Sequence, residues 1–148
     1  MIKEVAYDDY NFIELLKKLE KEHVDVVKEQ RSPGANCLKN LDKYEYVLIY
    51  FDGKNAIGCL ALSKAINKVV EIGRVYVLPE YRNKKIATKL FEKAFYIAKE
   101  NGNRFLTLDT YERFEAAIHL YKKLGFYVVD TFEYLKHSPY SVCMKKDL

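Results

Sequence analysis

The chain has 148 residues, enough for one domain with a sizeable hydrophobic core and too few for two ordinary domains. Its composition is that of a globular protein, no run of residues is long and apolar enough to span a bilayer, and its first residues are strand-like rather than typical of a signal peptide. The net charge of +4 is spread along the chain, so it does not by itself indicate a nucleic-acid partner, although it suits a phosphorylated ligand. We therefore expect a single cytoplasmic domain over residues 1–148.

Three cysteines and three histidines are the residues that bear on disulfides and metals. The cysteines are odd in number and include no CxxC pair, so we interpret them as reduced structural thiols. The histidines lie far apart, without a spacing such as HxxxH, so we expect no metal site. These residues are Cys37, Cys59, Cys143, His23, His119 and His137.

The N-terminal region reads as a strand followed by helices. Residues 2–7 predict a strand, and Asp8 or Asp9 is a suitable N-cap for a helix whose apolar stripe ends near Leu19. A second, weaker helix is predicted from about Lys21 to Gln30, before a Ser-Pro-Gly-Ala-Asn segment breaks the pattern.

The middle of the chain predicts an antiparallel meander of three strands. Residues 44–51 and 56–63 alternate in the manner of strands and are joined by an Asp-Gly turn at 52–55. Asn67-Lys68 forms the next turn, and residues 69–77 form the third strand.

The C-terminal half alternates between helical and strand patterns. Helices are predicted over residues 85–100 and from about 110 to 124. Strands are predicted over residues 104–109, 126–133 and 140–145.

This order predicts an α/β (α+β) fold with a mixed, mostly antiparallel seven-stranded sheet and about four helices, arranged β-α-α-β-β-β-α-β-α-β-β. The strand–helix–strand unit around the 85–100 helix should cross over right-handed, so its two strands should run parallel.

The chain is organised around residues 71–98, which predict a strand, a tight basic turn and a helix. Pro79 lacks an amide and restricts the residue before it, so the strand should stop there. The following turn at 81–85 is basic and opens a helix, where unpaired amides, the positive helix end and cationic side chains converge. The sequence therefore predicts an anion site, with phosphate as the natural ligand.

Two motifs make the chain similar to a known family. One combines an acidic residue, Glu71, with a V-x-P strand end at Val77-Leu78-Pro79 and a helix-opening turn, Arg82-Asn83-Lys84-Lys85-Ile86-Ala87. The other is Ala117-Ile118-His119-Leu120-Tyr121-Lys122-Lys123-Leu124-Gly125-Phe126. With these motifs and this element order, the sequence resembles the GCN5-related N-acetyltransferases (GNAT family), which use acetyl-CoA. Two positions depart from the family pattern, because Lys85 replaces the loop glycine and Phe114 stands where many relatives have asparagine.

The resemblance implies acetyl-CoA as co-substrate, held by the turn, by backbone groups of the preceding strand and by the later helix, with no metal. The implied cofactor-binding residues are Val75, Tyr76, Val77, Arg82, Asn83, Lys84, Lys85, Ile86, Ala87, Thr88, Ala117 and Lys123. Gly73 suggests a bulge that would free backbone groups of this strand.

The resemblance also implies catalytic roles for two side chains. A primary amine is largely protonated at neutral pH, so a base is needed, and Glu71 is the candidate, directly or through a water molecule. Tyr121 is the candidate general acid for the departing thiolate. The alternatives are a solvated glutamate and a core tyrosine.

In this family the acceptor pocket lies between the first helices and the last hairpin, which implies four substrate-binding residues here: Arg74, Tyr134, His137 and Tyr140. Arg74 could hold a carboxylate of an amino acid or peptide, or could be an ordinary surface ion-pair partner.

The predicted function is transfer of the acetyl group of acetyl-CoA directly to a primary amine of a small molecule, amino acid, peptide or protein. The alternative is a non-catalytic acyl-CoA-binding sensor or scaffold of the same fold. We expect no nucleic-acid or membrane partner, and either a monomer or a homodimer.

Overall fold

The computed structural model describes residues 1–148 and contains one seven-stranded sheet. In chain order the strands are β1 (Ile2–Val5), β2 (Tyr44–Asp52), β3 (Asn55–Ser63), β4 (Val69–Val77), β5 (Phe105–Tyr111), β6 (Tyr127–Val129) and β7 (Ser141–Asp147). They lie side by side in the order β1-β2-β3-β4-β5-β7-β6. Every neighbouring pair is antiparallel except β4 and β5, which run parallel as the crossover rule predicts.

The chain forms three α-helices rather than about four: α1 (Tyr10–Val27), α2 (Ile86–Glu100) and α3 (Glu115–Lys123). Asp9 caps α1 by accepting hydrogen bonds from the amides of Asn11 and Phe12. The predicted second helix is the continuation of α1, followed by a short 3₁₀ turn at Lys28–Gln30. No glycine or proline interrupts residues 10–30, so nothing breaks the helix at residue 20. None of the three helices has the length and hydropathy of a membrane-spanning segment.

Two predicted boundaries in the C-terminal half are wrong. The prediction that a helix begins near residue 110 is corrected because β5 continues to Tyr111, where it pairs with Ser141 of β7. The predicted strand over 126–133 is only three residues long, since it pairs with β7 only up to Val129. In both places pairing with a distant strand decides the boundary.

Apolar residues on the two faces of the sheet form two separate hydrophobic clusters. On one face α1 packs against Val47 and Ile49 of β2. On the other face Leu48 points towards α2 and α3, whose cluster is larger and contains Phe91. The alternation of Val47, Leu48 and Ile49 shows the period of two that a strand imposes.

The functional region lies where β4 and β5 separate. Their pairing covers only the three residues from Val69 to Glu71 of β4, and no pairs follow towards the carboxyl ends. The bulge is one residue later than predicted, because Gly73 still pairs with Ala61, whereas Arg74 and Val75 together oppose a single residue of β3. Arg74 has a φ of 56°, the left-handed region.

Candidate active site

The turn between β4 and α2 presents a row of free backbone amides. Asn83 and Lys85 both have left-handed backbone conformations, with φ of 62° and 63°, which fold the turn tightly onto the start of α2. No backbone amide from Asn83 to Thr88 donates a hydrogen bond within the protein. Six consecutive free amides at the positive end of a 15-residue helix suit a phosphate group. The turn therefore fits the pyrophosphate of coenzyme A.

The Arg82 side chain braces this turn against the rest of the protein. Its Nε donates to the carbonyl of Val77 at 2.9 Å, and its terminal nitrogen pairs with Glu22 of α1 at 2.8 Å. The guanidinium also lies over the ring of Tyr76, 5.6 Å from the centroid. Arg82 was predicted to bind the cofactor, and its side chain is engaged by protein groups on three sides.

The backbone of β4 opens towards the gap at the same point. The Leu78 amide donates to Ile57 of β3, and alternate residues of an antiparallel strand direct their amides to opposite sides. The amide of Val77 therefore faces the gap, beside the carbonyl that Arg82 holds. An extended ligand lying along the gap would find hydrogen-bonding groups there.

A cavity of about 320 Å³ fills the separated end of β4 and β5. It brings together both predicted catalytic residues, Glu71 and Tyr121, and two predicted substrate-binding residues, Arg74 and Tyr134. Val75 is the predicted cofactor residue that also lines it. His137, Tyr140, Ala117 and Lys123 do not line this cavity.

Glu71 lies in a network of charged and phenolic groups. One carboxylate oxygen accepts from Lys43 at 3.0 Å, and the other lies 3.3 Å from the Tyr134 hydroxyl. The same hydroxyl lies 3.1 Å from Asp109 of β5. Asp109 is exposed towards the cavity, and partial loss of solvation, with the nearby charge of Glu71, raises its pKa.

Tyr121 extends from α3 and lines the cavity. Its ring is buried between Phe91 and Phe126, with centroid distances of 5.4 and 6.2 Å. No protein group hydrogen-bonds to its hydroxyl, and burial, with the charge of Asp109, raises its pKa. The hydroxyl therefore keeps its proton at neutral pH and is free to donate it to a ligand.

Arg74 fastens the chain around residue 38 to β4. Its guanidinium donates to the carbonyls of Cys37 and Lys39 and to the hydroxyl of Tyr44, at 2.9, 3.0 and 3.1 Å. A Cβ at Gly73 would lie 2.3 Å from the Tyr44 hydroxyl, so a larger residue there would force the Tyr44 side chain to shift. These contacts shape the cavity wall.

A second polar cluster forms the far end of the cavity. Glu20 pairs with Arg31 and accepts from the Cys37 amide, and the Arg31 hydrogen bond lowers the pKa of Glu20 to about 2. Burial lowers the pKa of His23 to about 4 and raises that of the Cys37 thiol to about 11. His23 and Cys37, 3.8 Å apart, are therefore both neutral at pH 7.

Sequence reasoning missed Lys43, Tyr44 and Asp109, which complete the site. Asp109 carried a usable signal, since it lies at the predicted end of the strand that was expected to run parallel to the strand of Glu71. Gly73 was a signal for a bulky neighbour, but its sequence context does not identify Tyr44 as that neighbour.

Comparison with known proteins identifies the family. Residues 8–126 match the model of the acetyltransferase (GNAT) family. An uncharacterised N-acetyltransferase from Dictyostelium discoideum is 35% identical over 71 residues, which are 48% of this chain and 33% of that protein, so the chain spans about a third of this relative's length.

Solved structures share the whole fold. A protein from Klebsiella pneumoniae assigned as an acyl-CoA N-acyltransferase superposes with a TM-score of 0.83 at 26% identity, covering 100% of this chain and 97% of that one. An N-acetyltransferase from Thermoplasma acidophilum in complex with coenzyme A has a TM-score of 0.74 at 22% identity, covering 100% and 99%. With the family model matching most of its length, the chain belongs to the GNAT family of acetyltransferases.

Proposed function

We propose that this protein transfers the acetyl group of acetyl-CoA directly to a primary amine of a small molecule, amino acid, peptide or protein. The observation that supports this proposal best is the position of a free phenol, Tyr121, in the strand gap that begins at Glu71 and leads to the six open amides at 83–88. A module that only bound acyl-CoA would need the amides but neither the carboxylate nor the phenol. The chemistry that acetyl-CoA supplies when bound is an activated acetyl thioester.

The protein's own groups then have distinct roles. Glu71 accepts a proton from the acceptor ammonium, directly or through water, so that the neutral amine can attack. The reaction forms one C–N bond and breaks one C–S bond. Tyr121 donates its proton to the departing thiolate, the second ammonium proton returns through the cavity to restore the phenol, and Glu71 releases the first proton to solvent. The amides of Val75 and Val77 would bind the pantetheine arm of the cofactor and polarise the acetyl carbonyl.

The cysteines support direct transfer rather than an acetylated enzyme. Cys37 is the cysteine that lines the cavity, and burial raises the pKa of its thiol to about 11. A thiol with such a pKa is almost entirely protonated at pH 7, and the neutral His23 beside it does not change this. Cys37 is thus a poor nucleophile for the acetyl group.

A thermal-shift titration with acetyl-CoA and CoA, followed by thiol-release assays over a panel of amines, tests the proposal. A ligand at a hundred times its Kd stabilises the native state by about 2.7 kcal/mol, which raises Tm by several degrees. No shift at saturating cofactor would exclude the proposed function. A shift without thiol release on any amine would favour the non-catalytic binding module.

We also propose that residues 1–148 form a single domain acting in the cytoplasm. Both hydrophobic clusters share one sheet, and all three cysteines are unpaired, which suits a reducing compartment.

A further inference from the structure

The Tyr134 hydroxyl occupies a position better suited to an ammonium group. It lies 3.3 Å from Glu71 Oε2 and 3.1 Å from Asp109 Oδ1, but a phenol has one hydrogen and can donate to only one carboxylate at a time. The other carboxylate then faces an oxygen lone pair. A primary ammonium has three N–H donors and a positive charge, so it can satisfy both carboxylates together.

Only Glu71 of these two carboxylates has an ion-pair partner, and the charges of Lys43 and Arg74 act on Asp109 without direct contact. Lys43 pairs with the other oxygen of Glu71, and no lysine or arginine forms an ion pair with Asp109. Arg74 also lines the cavity, but its contacts are with Tyr44 and two backbone carbonyls. The position between the carboxylates therefore favours a cation from outside the protein.

Few contacts hold the Tyr134 side chain between the two carboxylates, so a ligand can displace it. Its side chain is 63% exposed and belongs to a short turn, Glu133–Leu135, outside the sheet. The Tyr134 ring stacks on Phe132, and its hydroxyl contacts Glu71 and Asp109. Its displacement would leave the sheet intact.

An independent feature of the cavity also indicates a ligand. The Tyr121 residue is 6% exposed, it lines the cavity, and its hydroxyl has no hydrogen-bond partner in the protein. The hydroxyl itself is not among the fully buried unpaired polar atoms, so it is available to a group that enters the cavity.

We propose that the Tyr134 hydroxyl marks the binding position of the acceptor nitrogen, and that the acceptor is an aliphatic primary amine which enters as an ammonium ion and displaces Tyr134. This inference rests on the proposed function and narrows its substrate class. It excludes arylamines, which are uncharged at neutral pH, and alcohols, which carry one hydrogen as Tyr134 does.

Binding of three probes of equal size tests the charge requirement without depending on turnover. Benzylamine, benzyl alcohol and 4-methylaniline are titrated at pH 7 into the CoA-saturated protein and followed by NMR. We expect benzylamine to bind at least about tenfold more tightly than the other two, because two charge-assisted hydrogen bonds are made only by the ammonium. Equal or tighter binding of the alcohol or the arylamine would overturn the inference.

The displacement of Tyr134 is tested with Tyr134→Phe, which keeps the ring and removes the hydroxyl. Benzylamine should bind about fivefold more tightly to this variant, since no hydrogen bond has to be broken first. The matched control is Tyr127→Phe, which removes another exposed hydroxyl bonded to a carboxylate, Asp147, away from the cavity. Unchanged or weaker benzylamine binding in Tyr134→Phe alone would contradict the proposal.

Asp109→Asn separates this inference from the proposed function. It should weaken benzylamine binding about tenfold while the thermal shift with CoA remains, because the six open amides are untouched. Retained benzylamine affinity would exclude Asp109 from the acceptor site. Loss of the CoA shift in the wild-type protein, by contrast, would count against the proposed function itself.

Discussion

We propose that the turn at residues 83–88, here called the cofactor turn, and the cavity beside Glu71, here called the acceptor cavity, bind their ligands in opposite ways. In the turn, the backbone amides of residues 83–88 are left open and Arg82 is occupied as a brace. In the cavity, Glu71 and Asp109 are provisionally paired with Tyr134. A backbone site depends on conformation and tolerates changes of side chain, whereas a side-chain site depends on the identity of each residue. Substitutions should therefore affect the two regions differently.

The largest expected effect separates chemistry from cofactor binding. Tyr121→Phe and Glu71→Gln should each lower kcat about 10²- to 10⁴-fold, because each removes a proton-transfer group. The thermal shift with CoA should persist in both, since neither residue belongs to the turn. Steady-state kinetics with the best amine of the panel provide the measurement, and Tyr96→Phe, on the exposed face of α2, is the control. Unchanged kcat would remove the residue from the mechanism.

The next effect tests whether side-chain packing shapes the cavity wall. Gly73→Ala should destabilise the protein by about 1–3 kcal/mol, because its Cβ would overlap the Tyr44 hydroxyl. Chemical denaturation measures the change. Gly73→Ala should cost less in a Tyr44→Phe background than in the wild type, because the overlapping hydroxyl is then absent. An equal cost in both backgrounds would show that the overlap is not the cause.

A smaller effect should appear in the pH dependence of stability. His23 has a folded pKa of about 4 and an unfolded pKa near 6.5, so its contribution is complete above pH 6.5 and is lost as the pH falls towards 4. We expect about 1–2 kcal/mol over this window, measured by denaturation at a series of pH values. His23→Phe should flatten the dependence, whereas His119→Asn, on an exposed position of α3, should retain it. An unchanged slope in His23→Phe would assign the loss elsewhere.

The smallest effect concerns the backbone of the turn. Lys85 stands in a left-handed conformation that favours glycine, so Lys85→Gly should stabilise the protein by up to about 1 kcal/mol. Lys84→Gly is the matched control, because Lys84 is not among the residues with positive φ and should gain nothing. Thermal unfolding measures both. If both substitutions changed the stability equally, loss of a lysine charge, rather than relief of the left-handed conformation, would explain the change.

The cofactor turn could be predicted from the sequence, whereas the acceptor cavity could be predicted only in part. The bounds of β4 and the turn at Asn67-Lys68 agree with prediction, because strand periodicity and turn residues are local signals. The position of the cofactor turn follows from the same local evidence. What the sequence did not indicate is that Lys85 adopts the glycine conformation despite its Cβ.

The acceptor cavity depends on contacts between distant parts of the chain. Lys43, Asp109 and Tyr134 come from before β2, from β5 and from the turn before β7, and no local pattern places them around Glu71. The same reason explains the wrong end of β5, which pairing with β7 extends beyond the expected helix start. The sequence pattern does not show how strands that are distant in the chain pair with each other.

The pairing of β7 has a consequence for how acceptor preference can diverge. Seven residue pairs, from Phe105 with Asp147 to Tyr111 with Ser141, fix the register of β7 against β5. The segment between β6 and β7, which carries Tyr134, can therefore change in length or composition during evolution without moving the strands. If Tyr134 marks the acceptor position as proposed, replacing this segment would change which amine is accepted and leave the open amides of residues 83–88 in place.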